Sequence, residues 1–134
     1  MSDGVIRDPS DSDNALARAL VDAAFEVHRC LGPGFSENVY ENALCHELCR
    51  RGLPFQRQVP MAVFYKGAVV GEGRADLIVG QRLVVELKAL PALAPVHSAQ
   101  VISYLKATGL TLGLLVNFGE RQLRTGLRRV VLTR

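Results

Sequence analysis

The chain has 134 residues, of which 49% are hydrophobic and 22% charged, and its net charge is +3. This length fits one domain of the commonest size, and the composition excludes a disordered or low-complexity protein. No run of residues is long and apolar enough to span a membrane, and residues 1–8 lack the basic start and apolar stretch of a signal peptide. We therefore expect a cytoplasmic protein.

The three cysteines agree with that compartment. Cys30, Cys45 and Cys49 are odd in number, fall within predicted helices and form no Cys-x-x-Cys pair. A second pair of ligands at a spacing suitable for zinc is missing. We interpret them as buried, reduced thiols.

Two helices are predicted first. Residues 1–12 are polar and contain Pro9, so we interpret them as a flexible leader and assign 13–134 to a single domain. A helix capped by Ser12 or Asp13 continues to the break at Gly32-Pro33-Gly34. A second helix opens at Ser36, with Phe35 and Tyr40 placed as a hydrophobic staple, and ends at Arg51. Its predicted buried face consists of Val39, Ala43, Leu44 and Leu48.

Strands follow from residue 55. Residues 55–65 predict a strand in which Pro60 indicates an edge or a bulge, and Lys66-Gly67 predicts a hairpin turn into residues 68–79. Gly71 and Gly73 indicate a bend or bulge just before Arg74. A second turn at Gly80-Gln81 leads into residues 83–90, so the three strands form a meander.

The remaining elements are a helix over 96–108, a buried strand over 111–118 and a basic edge strand over 123–132. A helix between two buried strands favours a parallel pair. The fold class is therefore α/β, with a mixed central sheet flanked by helices.

The residues around Glu86 point to a site. Leu83, Val84, Val85 and Leu87 are apolar at both parities, which is typical of a central strand covered on both faces. Glu86 and Lys88, two residues apart, project to one face toward Asp76 on the preceding strand. Charges gathered in a low-dielectric interior imply mutual pairing, a metal, or both. A solvated ion pair on an edge strand is the alternative for Glu86 and Lys88.

Positive charge accumulates at the C-terminal end. After Glu120 the chain has no acidic residue and carries five arginines, which are Arg121, Arg124, Arg128, Arg129 and Arg134. Such a strip can bind the phosphates of nucleic acid independently of sequence. A solvated strand face or tail explains the same pattern without a partner.

Four short motifs in order resemble one family. Gly34-Phe35-Ser36-Glu37-Asn38-Val39-Tyr40 resembles the G-x-x-E-x-x-Y signature of the small GxxExxY proteins of the PD-(D/E)xK nuclease superfamily. Asp76 followed by Glu86-Leu87-Lys88 resembles the D…(D/E)-x-K core, with Ala75 in place of the proline. Gln100-Val101-Ile102-Ser103-Tyr104 resembles the Q-x-x-x-Y helix of the RecB-like branch. The resemblance implies a restriction-endonuclease-like α-α-β-β-β-α-β-β core.

It also implies roles for individual residues. Glu37, Asp76, Glu86 and the backbone carbonyl of Leu87 would hold a metal, Mg²⁺ or alternatively Mn²⁺, and carboxylate oxygens are the ligands that Mg²⁺ prefers. Lys88 would serve the attacking water and the charge developing on phosphate. Gln100 and Tyr104, four residues apart, share a helix face and would assist there.

Structural explanations stand beside several of these roles. A carboxylate at Glu37 is favoured in the first turn of any helix by the helix dipole. Tyr40 fits the core as well as it fits a site, and Gln100 and Tyr104 can be explained by solvation and packing of the helix face. His97, one turn before, carries a weaker signal.

The sequence therefore predicts a metal-dependent phosphodiesterase that acts on DNA or RNA. The alternative is a non-catalytic module that binds nucleic acid or protein and retains the nuclease fold. A homodimer is a possible way for so short a chain to enlarge its binding surface.

Overall fold

The computed structural model describes residues 8–133, and its elements follow the predicted order. The helices are α1 (Asp11–Leu31), α2 (Glu37–Arg50) and α3 (Pro95–Thr108), and the strands are β1 (Phe55–Tyr65), β2 (Ala68–Val79), β3 (Leu83–Lys88), β4 (Leu112–Asn117) and β5 (Leu127–Val131). This confirms the α/β class and the α-α-β-β-β-α-β-β order. Residues 1–7 of the predicted leader, and Arg134, lie outside the described residues. Among the helices of residues 8–133, none has both the length and the apolar character needed to cross a bilayer.

The five strands form one mixed sheet with the order β1-β2-β3-β4-β5. Strands β1, β2 and β3 form the predicted antiparallel meander, and β3 pairs with β4 in parallel through the α3 crossover. Strand β5 closes the other edge antiparallel to β4. The strand that bears Glu86 and Lys88 is therefore central, as its apolar pattern predicted.

Each face of the sheet has its own apolar core. The core on the α1–α2 face contains Leu20, Ala24, Leu44, Leu48, Leu77, Val85, Leu87, Val116 and Phe118. The core on the α3 face contains Met61, Ala75, Ile78, Val84, Val101, Leu105, Leu115 and Val130. Because both faces of β3 are covered, any charge on this strand is placed in a largely apolar interior.

Both strands of the β1–β2 hairpin change face near Asp76. Ala75 packs in the α3 core, whereas Leu77, two residues later, packs in the α1–α2 core. In a regular strand, residues two apart share a face, so the chain twists sharply between them. Pairing with β3 begins only at Leu77. The part of the hairpin before Leu77 therefore diverges from β3.

The predicted irregularity in this hairpin lies further out than expected. Its register shifts between Val63 and Phe64, opposite Gly71 and Val69, whereas Gly73 pairs regularly with Met61. The turn itself is as predicted: Lys66 and Gly67 have φ of 49° and 82°, the backbone of the two-residue turns that suit the twist of a hairpin.

Some predicted boundaries and buried faces were wrong. Helix α1 starts at Asp11 with Ser10 as its N-cap, because Ser10 and Asp13 bond each other's backbone amides in a capping box. On α2 the buried residues are Tyr40, Glu41, Leu44, Cys45 and Leu48, while Val39 is exposed. The buried stripe is rotated because it includes a carboxylate, which the apolar pattern could not indicate. Of the three free cysteines, only Cys45 is buried, and Cys30 and Cys49 are exposed.

A buried asparagine joins the loops that follow the two parallel strands. Asn117, the last residue of β4, pairs in register with Lys88 and has no exposed surface. Its amide group exchanges hydrogen bonds with the backbone of Leu90, 2.8 and 3.0 Å, accepts one from Gly119 N at 3.1 Å and donates one to Glu120 at 2.9 Å. Asn117 therefore fixes the chain on either side of the end of β3.

We expect Asn117→Ala to lower the free energy of unfolding by about 3 kcal/mol, because it leaves several buried backbone groups without a partner. Thermal or urea unfolding measures this loss. Asn38→Ala, at an exposed position of α2, is the matched control and should change stability little. Equal effects of the two substitutions would contradict the structural role given to Asn117.

Candidate active site

Asp76 and Glu86 hold each other in place through the backbone. The amide N of Asp76 donates to Glu86 Oε1 at 3.0 Å, and the amide N of Leu87 donates to Asp76 Oδ2 at 2.8 Å. The two residues are 9% and 4% exposed. The split between β2 and β3 at this point frees these backbone amides for the carboxylates. One oxygen of each carboxylate is thereby fixed, and Oδ1 and Oε2 remain for other partners.

Lys88 lies on the same side of β3 without forming a close ion pair. Its Nζ is 4.0 Å from Glu86 Oε2, and 19% of its side chain is exposed. Burial, and then the charge of Asp76, raise the pKa of Glu86 to about 8. Burial also raises the pKa of Asp76, against the hydrogen bond from Leu87. The lone ammonium does not offset the cost of bringing two carboxylates into this interior.

Glu37 faces the same site from the start of α2. Partial burial raises its pKa first, the charge of Asp76 raises it further, and Lys88 lowers it, so these side chains share one electrostatic field. Glu37 is itself an exposed residue. The loop before it is built from glycines, since Gly32 and Gly34 have φ of 67° and 120°, which side chains with a Cβ rarely adopt.

Tyr40 has a structural role. Its ring is buried and stacks on Phe118 with centroids 4.7 Å apart, and it meets Phe35 edge-on, as the predicted staple requires. Its hydroxyl donates to the carbonyl of Gly32 and accepts from Phe35 N. Tyr40 therefore holds the loop that aims Glu37 at the sheet.

Helix α3 brings Gln100 and Tyr104 to the site as a pair. Gln100 Nε2 donates to the Tyr104 hydroxyl at 3.0 Å. Burial is the main cause that raises the pKa of Tyr104, and the charges of Glu86 and Asp76 raise it as well. The hydroxyl of Tyr104 is therefore close enough to both carboxylates to interact with them electrostatically. A cavity of about 450 Å³ opens over Lys88 and Gln100 and is also lined by His97. His97 accepts a hydrogen bond from Ala94 N and so belongs to the start of the helix.

Three site neighbours were missed by the sequence argument. Glu41 is 5% exposed and accepts hydrogen bonds from Arg57 and Gln58. Gln58 Nε2 also approaches Asp76 Oδ1, at 3.4 Å. The only signal in the sequence was that Glu41 follows Glu37 by one helical turn; the partners on β1 are brought there by the tertiary fold.

The four described arginines of the predicted basic strip lie after the end of β4, and their role in binding nucleic acid stays a prediction. The 3-10 turn at Leu123–Gly126 replaces the start of the expected strand. Arg124 lies in this turn, and Arg121, just before it, lines a cavity with Pro91 and Glu120. Arg128 and Arg129 lie further along β5, where Arg128 donates to the carbonyls of Thr125 and Leu127 and Arg129 to Asn14.

A metal ion at this site would depend on the oxygen ligands that the chain offers. Within residues 8–133, no group of three or more His, Cys, Asp or Glu side chains converges in a way that could hold an ion. Asp76 and Glu86 offer two oxygens, and Mg²⁺ is commonly bound through one or two carboxylates, with water and substrate phosphate completing its shell. The carboxylate pair fits such a site.

The fold and the placement of Asp76 beside Glu86-x-Lys88 define an α/β domain of the restriction-endonuclease-like class. The family model of the PD-(D/E)XK nuclease superfamily matches residues 14–130, and the chain belongs to this superfamily. Its members generally use divalent metals and act on nucleic acid. Membership of the GxxExxY branch stays a prediction. Searches of curated proteins and of solved structures give no significant match.

The raised pKa of Glu86 predicts how stability changes with pH in the metal-free protein. Its pKa is about 8 in the folded protein, against a reference of 4.5, so the folded state binds the proton more tightly. This stabilisation is fully present below the reference pKa of 4.5 and is lost as the pH rises through the folded-state pKa of about 8. With chelator present, the melting temperature should therefore fall from about pH 5 to about pH 8.

Glu86→Gln should reduce the fall in melting temperature between about pH 5 and about pH 8. Part of the fall should remain, because the pKa of Asp76 is raised as well. Glu72→Gln, at an exposed position of β2, is the control and should keep the parent profile. An unchanged pH profile in Glu86→Gln would contradict the raised pKa.

Proposed function

We propose that the protein is a nuclease in which a divalent metal activates water to attack a phosphodiester of DNA or RNA, with Mg²⁺ as the natural ion and Mn²⁺ as a substitute. The observation that supports this most is the reciprocal bonding of Asp76 and Glu86, which leaves one oxygen of each buried carboxylate available. Burying two carboxylates costs free energy, and titratable groups with strongly shifted pKa values are typical of functional sites.

The ion would be held by Asp76 and Glu86, with the carbonyl of Leu87 and the carboxylate of Glu37 as further ligands. When bound, it supplies Lewis-acid polarisation of a phosphoryl oxygen and a lower pKa for its water. It would also favour the ionised forms of Asp76 and Glu86, whose pKa values are raised in its absence.

The remaining site residues bind and orient. Lys88, at the floor of the cavity beside α3, would hold the attacking water and offset charge developing on the phosphate. Gln100 positions the Tyr104 hydroxyl, which would donate to a phosphate oxygen. Glu37, in the opposite helix layer, is close enough to Asp76 and Lys88 for their charges to shift its pKa.

A non-catalytic nucleic-acid- or protein-binding module is the second candidate. Two observations favour it: no three-ligand group exists within the described part of the chain, and the raised pKa of Glu86 favours its neutral form. Such a module would keep the fold and the carboxylate pair without turnover. The cytoplasmic location and a possible homodimer stay predictions for either function.

The direct test of the proposed function is a titration of the pure protein with Mg²⁺ and Mn²⁺, followed by calorimetry and thermal unfolding. A ligand that binds only the folded state raises the melting temperature by mass action. Asp76→Asn and Glu86→Gln should each remove most of this rise, and the exposed control Glu72→Gln should keep it. Parent-like metal binding in both site variants would show that the metal is held elsewhere.

Lys88→Ala separates the two candidate functions. If Lys88 serves the chemistry, cleavage in Mg²⁺ should fall by about 100-fold or more, while metal affinity is kept or increased because a neighbouring cation is gone. Lys106→Ala, on the exposed side of α3, is the control. Cleavage assays on single- and double-stranded DNA and RNA, with chelator as a blank, measure the effect.

A purely structural Lys88 would give a different result. Its removal would strand Glu86 and lower the free energy of unfolding by about 3 kcal/mol, and Glu86→Gln would restore the loss. The 4.0 Å separation of Nζ and Oε2 favours a small change instead. A parent protein that cleaves none of these substrates with either metal would favour the module.

The arginines give a test of nucleic-acid binding that needs no turnover. Replacing Arg121 and Arg124 with Gln should reduce the slope of log K against log salt by about 2, since each lost phosphate contact contributes about 0.9. Arg128 and Arg129, which bond to the protein itself, form the matched pair and should leave the slope nearly unchanged. The reverse pattern would move the binding surface to β5.

A further inference from the structure

The kink in β1 opposite Asp76 has an unusual conformation. Gln58 has φ of 49°, although it lies within a strand and carries a Cβ. It falls between the pairs Arg57–Leu77 and Val59–Ala75 and so lies opposite Asp76. The left-handed region is disfavoured for such residues, and it persists where the surroundings impose it, often at functional sites.

The conformation lets two neighbours on β1 reach the same buried carboxylate. Consecutive residues of a regular strand project to opposite faces. Here Arg57 donates to Glu41 Oε2 through Nε at 3.1 Å and Nη2 at 3.0 Å, and Gln58 Nε2 donates to Glu41 Oε1 at 2.9 Å. Arg57 also donates to Asn42 at 2.6 Å. Helix α2 thus holds the kinked dipeptide by several bonds.

The same twist is visible in the packing. Phe55 packs against the α1–α2 core, whereas Val59, four residues later, packs against the α3 core. In a strand without a kink these two side chains would share a face. The face change in β1 therefore falls at Arg57 and Gln58, directly across from the one in β2 at Asp76.

The kink brings the amide of Gln58 to the oxygen of Asp76 that the backbone leaves free. Gln58 Nε2 lies 3.4 Å from Oδ1, while Oδ2 is bonded to Leu87 N. Within residues 8–133 no buried side-chain nitrogen or oxygen lacks a partner, so the contact is part of a satisfied polar network. Hydrogen bonds from Gln58 to Glu41 and to Asp76 therefore link α2, β1 and β2.

We propose that Glu41 and Gln58 are positioning residues that fix the direction in which Asp76 Oδ1 is presented to a divalent cation. This inference rests on the proposed function. Glu41 holds the kink, and Gln58 keeps the carboxylate of Asp76 from rotating away from Leu87. Groups that orient a metal ligand typically change metal affinity by 10- to 100-fold when they are removed.

Gln58→Gly tests the role of the amide, since glycine accepts the positive φ and removes only the side chain. The matched control is Gln81→Gly, because Gln81 also has a positive φ, 63°, but lies in the turn before β3, away from the site. We expect Mn²⁺ affinity, measured by calorimetry on the full chain, to fall about tenfold in Gln58→Gly and to stay at the parent value in Gln81→Gly.

Glu41→Gln should weaken Mn²⁺ binding in the same direction, because a neutral side chain holds Arg57 and Gln58 less firmly. Parent-like affinity in Gln58→Gly overturns the inference and leaves the proposed function intact. Equal losses in Gln58→Gly and Gln81→Gly overturn it too, since the cause would then be general. Parent-like affinity in Glu41→Gln removes Glu41 from the proposal.

A second measurement keeps the inference testable if the parent binds no Mn²⁺, which would overturn the proposed function. The ¹³C chemical shift of the Asp76 carboxyl in the metal-free protein reports on its surroundings. It should move in Gln58→Gly and not in Gln81→Gly. An unmoved signal in Gln58→Gly shows that the amide does not position Asp76, whatever the protein binds.

Discussion

The cost of keeping two carboxylates inside a sheet governs the design of this domain. Asp76 and Glu86 are almost fully buried, and the ammonium of Lys88 lies 4.0 Å from the carboxylate of Glu86. Charges in such a place require hydrogen bonds that a regular sheet does not offer, because its backbone amides pair with neighbouring strands. The separation of β2 from β3 before Leu77 releases those amides. The irregular part of the sheet is what makes the site possible.

The surrounding elements support that irregularity from several directions. On one side, α2 approaches through a glycine loop held by Tyr40, and its second turn supplies Glu41 to the kink of β1. On the other side, α3 lies close to β4, because Gly113 has no Cβ to collide with Val101, and presents Gln100 and Tyr104. Asn117 fixes the loops at the ends of the parallel strands. The contacts of Glu41 with Arg57, of Val101 with Gly113 and of Asn117 with Leu90 join elements that are separate in sequence.

The electrostatics of the site connect stability to function. The raised pKa values of Glu86 and Asp76 mean that these carboxylates favour their protonated forms, and a bound cation would favour the ionised forms. Functional sites often hold unfavourable local arrangements that the rest of the fold compensates. The same arrangement would be a liability in a domain whose carboxylates served only as structural links.

The sequence by itself determined the class of fold, the order of its elements and the pair Asp76 and Glu86-x-Lys88, because apolar periodicity, turn residues and short motifs are local signals. It also located the turn at Lys66-Gly67 and the parallel crossover through α3. Only the tertiary structure decided that Glu41 is buried, that Gln58 faces Asp76 and that a 3-10 turn replaces the start of the last strand. A carboxylate is buried or exposed according to the partners that other strands bring to it, and those partners lie 16 or more residues away for Glu41. Long-range pairing and the face change at Asp76 leave no periodic trace in the chain, so they had to be observed.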